Sequence, residues 1–213
     1  MAFSSGFSPH PKVSYAGAAA TGMASEAEYL EIGVIASCDP ERLRLALDEA
    51  LPDGLDVLEV VVAGPGSMAE RLEASDWRIE LPGAGREVVA EAVAAFLAAP
   101  EVAVQRLTKN GVRTLDARAP VVRLELVDPA DAPAPGAAEG PACAILRLVV
   151  RHVTPAVRPD DVLAGLVSAG DLPPPSGHMA RRLAQGPLDE AAGTVSDPLA
   201  PDRAATGTGA VDA

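Results

Sequence analysis

Segments with the two-residue period of strands alternate along this chain with segments of helical period, and their order constrains the fold more than any other feature. The first series is strand, strand, helix, strand, predicted at residues 13–16, 29–34, 40–51 and 55–63. A ferredoxin-like unit has the order strand, helix, strand, strand, helix, strand. The series therefore predicts a ferredoxin-like unit without its first strand and first helix.

A second series of elements predicts a second ferredoxin-like unit, so the fold class is α+β. Strands are predicted at 77–81, 102–107, 112–118, 121–127 and 143–151, and helices at 86–98 and from about 159. Lys109-Asn110-Gly111-Val112 predicts a tight hairpin turn, because Asn-Gly accepts positive φ angles. Residues 128–141 are rich in Pro, Ala and Gly and are predicted to be a mobile loop.

The remainder of the chain, from Leu172, shows little hydrophobic periodicity and opens with Pro173-Pro174-Pro175. Such a composition is typical of disorder. We therefore predict a partial ferredoxin-like unit at 1–66, a second α+β unit at 67–171 and a disordered tail at 172–213.

The charge of the chain argues against wholesale coating of nucleic acid. The net charge is −13, and aromatic residues make up only 3% of the sequence, so platforms for base stacking are scarce. Two basic islands qualify this total. One is the N-terminal stretch with Lys12 and no acid, and the other, at 101–127, carries Arg106, Lys109, Arg113, Arg118 and Arg123 against Glu101, Asp116 and Glu125.

The cysteines Cys38 and Cys143 are far apart and belong to no Cys/His cluster, so no metal site is predicted. A protein-bound iron-sulfur cluster requires several closely spaced thiolates, which this chain does not have. We interpret the two cysteines as reduced thiols, with a disulfide between them as the alternative. Because the chain also has no signal-peptide pattern and no apolar run long enough to cross a bilayer, we predict a cytoplasmic protein without a membrane span.

The loop Ser8-Pro9-His10-Pro11-Lys12 is the first candidate site, because two prolines restrict the backbone around an imidazole and an amine. Ser8, His10 and Lys12 suit the binding of an anion. His10 could also act as a general acid or base, with Glu26 or Glu28 as the orienting carboxylate. The alternative is a rigid turn whose histidine bonds to a backbone carbonyl.

The hairpin around Asn110 is the second candidate. Its predicted binding residues are the cations Arg106, Lys109, Arg113 and Arg118. Cations on one ribbon could follow a phosphate backbone. The alternative is that they are solvated charges paired with Asp116 and Glu125.

Three ordered motifs resemble the radical-SAM-associated family of uncharacterised proteins. They are Ser5-Gly6-Phe7-Ser8-Pro9-His10-Pro11-Lys12, Ser25-Glu26-Ala27-Glu28-Tyr29-Leu30 and Thr108-Lys109-Asn110-Gly111. The resemblance implies a domain of unknown function that works beside a radical SAM protein, with any iron-sulfur cluster and SAM belonging to that partner. It also implies that the chain is a fragment, truncated at its N-terminus.

The sequence leaves three functions open. The first is an accessory module, not an enzyme, that binds RNA or an RNA-modifying partner through the basic islands. The second is an enzyme half-site that uses His10 and Lys12 with a carboxylate such as Glu26. The third is a plain protein-protein scaffold.

Overall fold

The computed structural model describes residues 1–5, 7–109, 111–128, 143–170, 172–175 and 177–208. It is a mixed α+β structure that forms two compact units. The described residues of 1–18, 28–71 and 197–208 form the smaller unit, and those of 19–27 and 72–196 form the larger unit.

The larger unit is built on a five-stranded sheet. In chain order its strands are β2 (Ala24–Ser25), β4 (Ala74–Pro82), β7 (Val121–Val127), β8 (Cys143–Arg151) and β9 (Met179–Gly186). Their order across the sheet is β2-β9-β4-β8-β7. All neighbours are antiparallel except β2 and β9, which run parallel.

Two helices pack together on the core side of this unit, α3 (Arg86–Ala98) and α4 (Pro159–Gly170). Their close approach depends on glycine in α4, because a Cβ at Gly170 would lie 2.3 Å from Ala92 Cα. The helices and the sheet enclose the buried apolar core, in which Phe96, Ile79 and Leu146 are fully buried.

A separate two-stranded ribbon, β5 (Ala103–Thr108) and β6 (Gly111–Asp116), lies between α3 and β7 in the chain. The predicted hairpin is confirmed, but Thr108 is opposite Gly111, whereas the predicted turn placed Lys109 opposite Val112. Gly111 has a φ of 103°, in the region that favours glycine. Asn110 lies outside the described residues. So do residues 129–142, which hold nearly all of the predicted 128–141 loop.

The smaller unit contains the antiparallel pair β1 (Val13–Ala16) and β3 (Tyr29–Ile32), with helix α1 (Pro40–Ala50) after them. Asp39 caps α1 by accepting a hydrogen bond from the Glu41 N–H at 2.9 Å, and Pro40 occupies the first turn. A short helix, α2 (Met68–Arg71), and the C-terminal α5 (Ala200–Thr208) complete the unit. The strand predicted at 55–63 does not form.

The prediction of a disordered tail is wrong for the greater part of 172–213. Strand β9 lies inside the main sheet between β2 and β4, a short hairpin of β10 (Leu188–Asp189) and β11 (Thr194–Val195) follows, and α5 comes last. The weak periodicity of β9 has a physical cause. Its buried face carries Arg182 and Gln185, whose polar groups bond to each other at 3.2 Å.

Candidate binding surface

Backbone pairing decides which side chains of the β5–β6 ribbon share a face. Val104 lies opposite Leu115 with both side chains buried, and Arg106 lies opposite Arg113 on that same face. Leu107 lies opposite Val112 on the other face. The cations predicted for this ribbon therefore fall into two groups: those whose side chains bond to other parts of the larger unit, and those whose side chains are exposed.

Arg106 is held inside the larger unit. Its Nη1 donates to Asp161 Oδ2 at 2.7 Å, and its Nη2 donates to the Ala156 carbonyl at 3.1 Å. Asp161 is only 5% exposed and also accepts the Arg158 backbone N–H at 2.8 Å, in the first turn of α4. Because this arginine neutralises a buried carboxylate, it stabilises the fold.

Arg118 has a similar structural role. Its Nη1 donates to the Val121 carbonyl at 3.1 Å and its Nε to the Leu97 carbonyl at 3.4 Å. Its own backbone N–H donates to Asp116 Oδ1 at 2.8 Å, so Asp116 caps the turn that follows β6. The guanidinium joins α3 to the start of β7.

Lys109 and Arg113 differ from these two arginines. Both side chains are exposed, and neither has an ion-pair partner among the described residues. Two exposed aliphatic side chains lie near the same end of the ribbon, on the opposite face from Arg113: Leu107 is 80% exposed and Val112 is 65% exposed. We call Leu107, Lys109, Val112 and Arg113 the ribbon tip. It combines two cations with an exposed aliphatic pair.

An open groove with a volume of about 500 Å³ runs beside β6. Its lining consists of Arg113–Asp116, Ala119, Pro120, Arg151, Val153, Pro155 and Val157. Arg151 is engaged by Glu190, whose Oε2 lies 2.6 Å from its Nη2. Arg113 is thus the cation in the groove lining without a partner in the described part of the chain.

The Pro-His-Pro-Lys loop belongs to the smaller unit, where backbone contacts close its base. The His10 N–H donates to Ser4 Oγ at 3.0 Å, the Ser4 N–H donates to the His10 carbonyl at 2.8 Å, and Phe3 forms a bridge with Pro11. The side chains of Ser8, His10 and Lys12 are exposed. The loop is a closed turn that presents these side chains to solvent.

Glu26, the predicted orienting carboxylate, belongs to the larger unit rather than to the unit of His10. Its Oε1 accepts a hydrogen bond from Arg181 Nη1 at 2.8 Å, beside the parallel pair of β2 and β9. This carboxylate is therefore already engaged by an arginine of its own unit.

A serine-histidine pair was missed by the sequence reasoning. Ser75 Oγ lies 2.5 Å from His152 Nε2, and His152 Nδ1 lies 2.7 Å from the Leu72 carbonyl. Burial of the imidazole lowers the pKa of His152, so the neutral ring donates from Nδ1 and accepts from Ser75. Because Ser75 is 2% exposed, its hydroxyl is closed to a substrate, and the pair fastens the end of β8 to β4. No spacing signals it, since 77 residues separate the partners.

The described part of the chain contains no group of three or more His, Cys, Asp or Glu side chains that could hold a metal ion. Cys38 and Cys143 are both free thiols. Among the described helices, none combines the length and the apolar character needed to span a bilayer.

Comparisons with known proteins place the chain in a family. No curated protein matches it, and no solved structure matches it. A family model described as an uncharacterized protein conserved in bacteria, DUF2344, matches residues 1–159. That match includes both predicted sites, the ribbon tip and the groove. The chain belongs to the DUF2344 family of bacterial proteins.

Proposed function

We propose that this protein is an accessory module, not an enzyme, that binds a protein partner through the ribbon tip. The observation that carries the proposal is that the ribbon tip combines two cations without an ion-pair partner among the described residues, Lys109 and Arg113, with the exposed pair Leu107 and Val112 on the face opposite to Arg113. An acidic protein surface with an apolar pocket complements such a tip in both charge and hydrophobicity.

RNA is the second candidate partner, favoured by the same two exposed cations. Affinity for a phosphate backbone grows with the number of cations that contact it, and single-stranded bases bind by stacking on aromatic rings. Arg106 and Arg118 are engaged in the fold, and the ribbon tip offers aliphatic side chains where stacking requires aromatic ones. These features favour protein over RNA.

The partner we propose is a cytoplasmic radical SAM protein, as the family resemblance of the sequence implies. An iron-sulfur cluster and SAM would then belong to that partner. The alternative, an enzyme half-site at His10, Lys12 and Glu26, has weaker support because Arg181 already engages the Glu26 carboxylate.

We further propose that the larger unit is ferredoxin-like. Support comes from its connectivity, β4-α3-β7-β8-α4-β9 with the ribbon inserted after α3, and from the order β9-β4-β8-β7 across the sheet. The insertion projects from the unit between a helix and a strand, a common position for a binding loop.

The experiment is co-purification of the full chain with a radical SAM protein of the same organism, after nuclease treatment. The double variant Lys109→Glu/Arg113→Glu should weaken binding at least tenfold, because the introduced carboxylates repel the acidic surface of the partner. Arg42→Glu, which reverses an exposed cation of α1, is the matched control and should bind as the wild type does.

Equal binding of the wild type and the double variant would overturn the proposal. Loss of co-purification on nuclease treatment would do so as well, and would favour the RNA candidate. In that case binding to RNA should weaken steeply as salt rises.

A further inference from the structure

Strand β6 lines the groove, and its backbone is open along the edge that does not pair with β5. The Ala117 N–H donates to the Val102 carbonyl at 2.8 Å, and residue pairs of an antiparallel ladder alternate between bonded and non-bonded. Counting from this pair, Leu115 and Arg113 exchange hydrogen bonds with β5. The N–H and C=O groups of Thr114 and Asp116 therefore point away from β5.

No second strand covers these groups within the described residues. The ribbon is a two-stranded sheet, and in that part of the chain the backbone N–H and C=O of Thr114 and Asp116 have no hydrogen-bond partner. Among the other residues of the groove lining, Pro155 lacks an N–H, and the Pro120 carbonyl already accepts the Arg151 N–H at 2.9 Å. Unpaired strand edges of this kind are templates for an added strand.

The dimensions and lining of the groove suit one extended chain. Residues Arg113–Asp116 present about 13 Å of strand at roughly 3.3 Å per residue. A volume of about 500 Å³ is sufficient for a few residues in extended conformation. Val153, Pro155 and Val157 supply apolar contacts for alternate side chains of such a segment.

We propose that the β6 edge captures an extended segment of the protein partner as an added strand, with an acidic side chain of that segment on Arg113. The inference rests on the proposed function and names the form of the contact. Arg113 sets the charge of the segment because it has no ion-pair partner among the described residues, whereas Arg151 is bound to Glu190. Backbone hydrogen bonds supply affinity, and the groove and the arginine supply selectivity.

The test is an NMR titration of the full chain with the acetylated, amidated hexapeptide Val-Glu-Val-Glu-Val-Glu. Two further peptides have the same sequence with N-methyl groups on alternate residues: one is methylated on its three valines and the other on its three glutamates. In an added strand only one set of N–H groups faces β6, so one methylated peptide should bind at least tenfold more weakly and the other should match the parent. Amides of Thr114 and Asp116 should shift and become protected from exchange.

A protein variant gives a second readout. Thr114→Pro removes an outward N–H without removing a hydrogen bond to β5, and it should bind the parent peptide at least tenfold more weakly. Thr114→Ala keeps the N–H and should bind the parent peptide as the wild type does. The thermal melt of each variant checks its folding. The two methylated peptides are titrated against the wild-type chain, so that test remains valid even where Thr114→Pro does not fold.

Equal affinity of all three peptides overturns the inference, as does self-association of the chain through β6 that excludes the peptide. Co-purification that depends on Lys109 and Arg113 but is unchanged in Thr114→Pro would leave the proposed function standing and remove the strand addition. Failure of co-purification itself would remove both.

Discussion

The two units differ in what fills their interiors. In the larger unit, α3, α4 and the sheet enclose a continuous core of Val, Leu, Ile, Ala, Phe and Trp side chains. In the described part of the smaller unit the buried apolar side chains are Ala16, Met68 and Pro198, while Leu45 of α1 is 53% exposed. Polar contacts are correspondingly prominent there. Arg71 donates to Asp202 at 2.7 Å, and Arg203 donates to Glu59 at 2.5 Å.

This difference indicates different sources of stability. Burial of apolar surface contributes about 25 cal/mol per Å², whereas a solvent-exposed ion pair such as Arg203–Glu59 contributes about 0–1 kcal/mol. We therefore expect the larger unit to resist local opening and the smaller unit to open more readily. Trp77, the single tryptophan of the chain, lies in the core of the larger unit and reports on that unit alone.

The largest effect is expected from truncation of the core. Phe96→Ala removes a fully buried ring and should cost about 3–5 kcal/mol of unfolding free energy, measured by denaturant titration with Trp77 fluorescence. Leu45→Ala in the smaller unit is the control and should cost about 0.5 kcal/mol or less, measured by the circular dichroism signal of the same titration, to which both units contribute. Comparable losses for the two variants would contradict the contrast between the units.

A smaller effect is expected from breaking an ion pair, and it should be larger for a buried pair of the larger unit than for an exposed pair of the smaller unit. Arg106→Met leaves the buried Asp161 without its arginine and should cost about 2 kcal/mol, because a buried acceptor loses its donor. Arg44→Met, which breaks the pair with the exposed Glu41 at 2.9 Å in α1, should change stability much less. If both variants melted alike, Arg106 would be no more structural than Arg44.

The smallest effect is a pH dependence that separates the units. Burial lowers the pKa of His152 below that of an unfolded histidine, so the unfolded chain binds more protons and stability falls as pH drops below about 6.5. The hydrogen bond from Arg71 lowers the pKa of Asp202, so the corresponding loss in the smaller unit begins only below about 4.

Between pH 7 and 5 the denaturation midpoint measured by Trp77 fluorescence should therefore decline. The Gly64 amide donates to Asp202 at 3.0 Å, and its protection from hydrogen exchange should not change over this range. His152→Gln should flatten the Trp77 profile. A profile of the same slope in this variant would assign the titration to another group.

Local signals predicted many elements correctly. The helices at 40–50 and 86–98 agree with prediction because each carries an apolar stripe, and the first of them also has the start signals Asp39 and Pro40. The β5–β6 hairpin was predictable because Gly111 has the positive φ that an Asn-Gly turn implies. These elements depend on neighbours in sequence.

Strand β9 shows what local signals could not supply. Its buried positions include Arg182, although arginine is a charged residue that is usually exposed in folded proteins. The guanidinium is accommodated because it lies 5.5 Å from the centre of the Trp77 ring and donates to Ser25 Oγ at 3.2 Å. Ser25 is 157 residues away in sequence, so only the folded chain reveals why this strand belongs in a core.

The candidate surface divides in the same way. The sequence by itself determined that the hairpin carries several cations, and the family match agrees that this region belongs to a recognised bacterial domain. The tertiary structure decided which of them remain available. Asp161 lies 55 residues from Arg106 and meets it only when α4 packs beside the ribbon, so Arg106 stabilises the fold while Lys109 and Arg113 stay exposed.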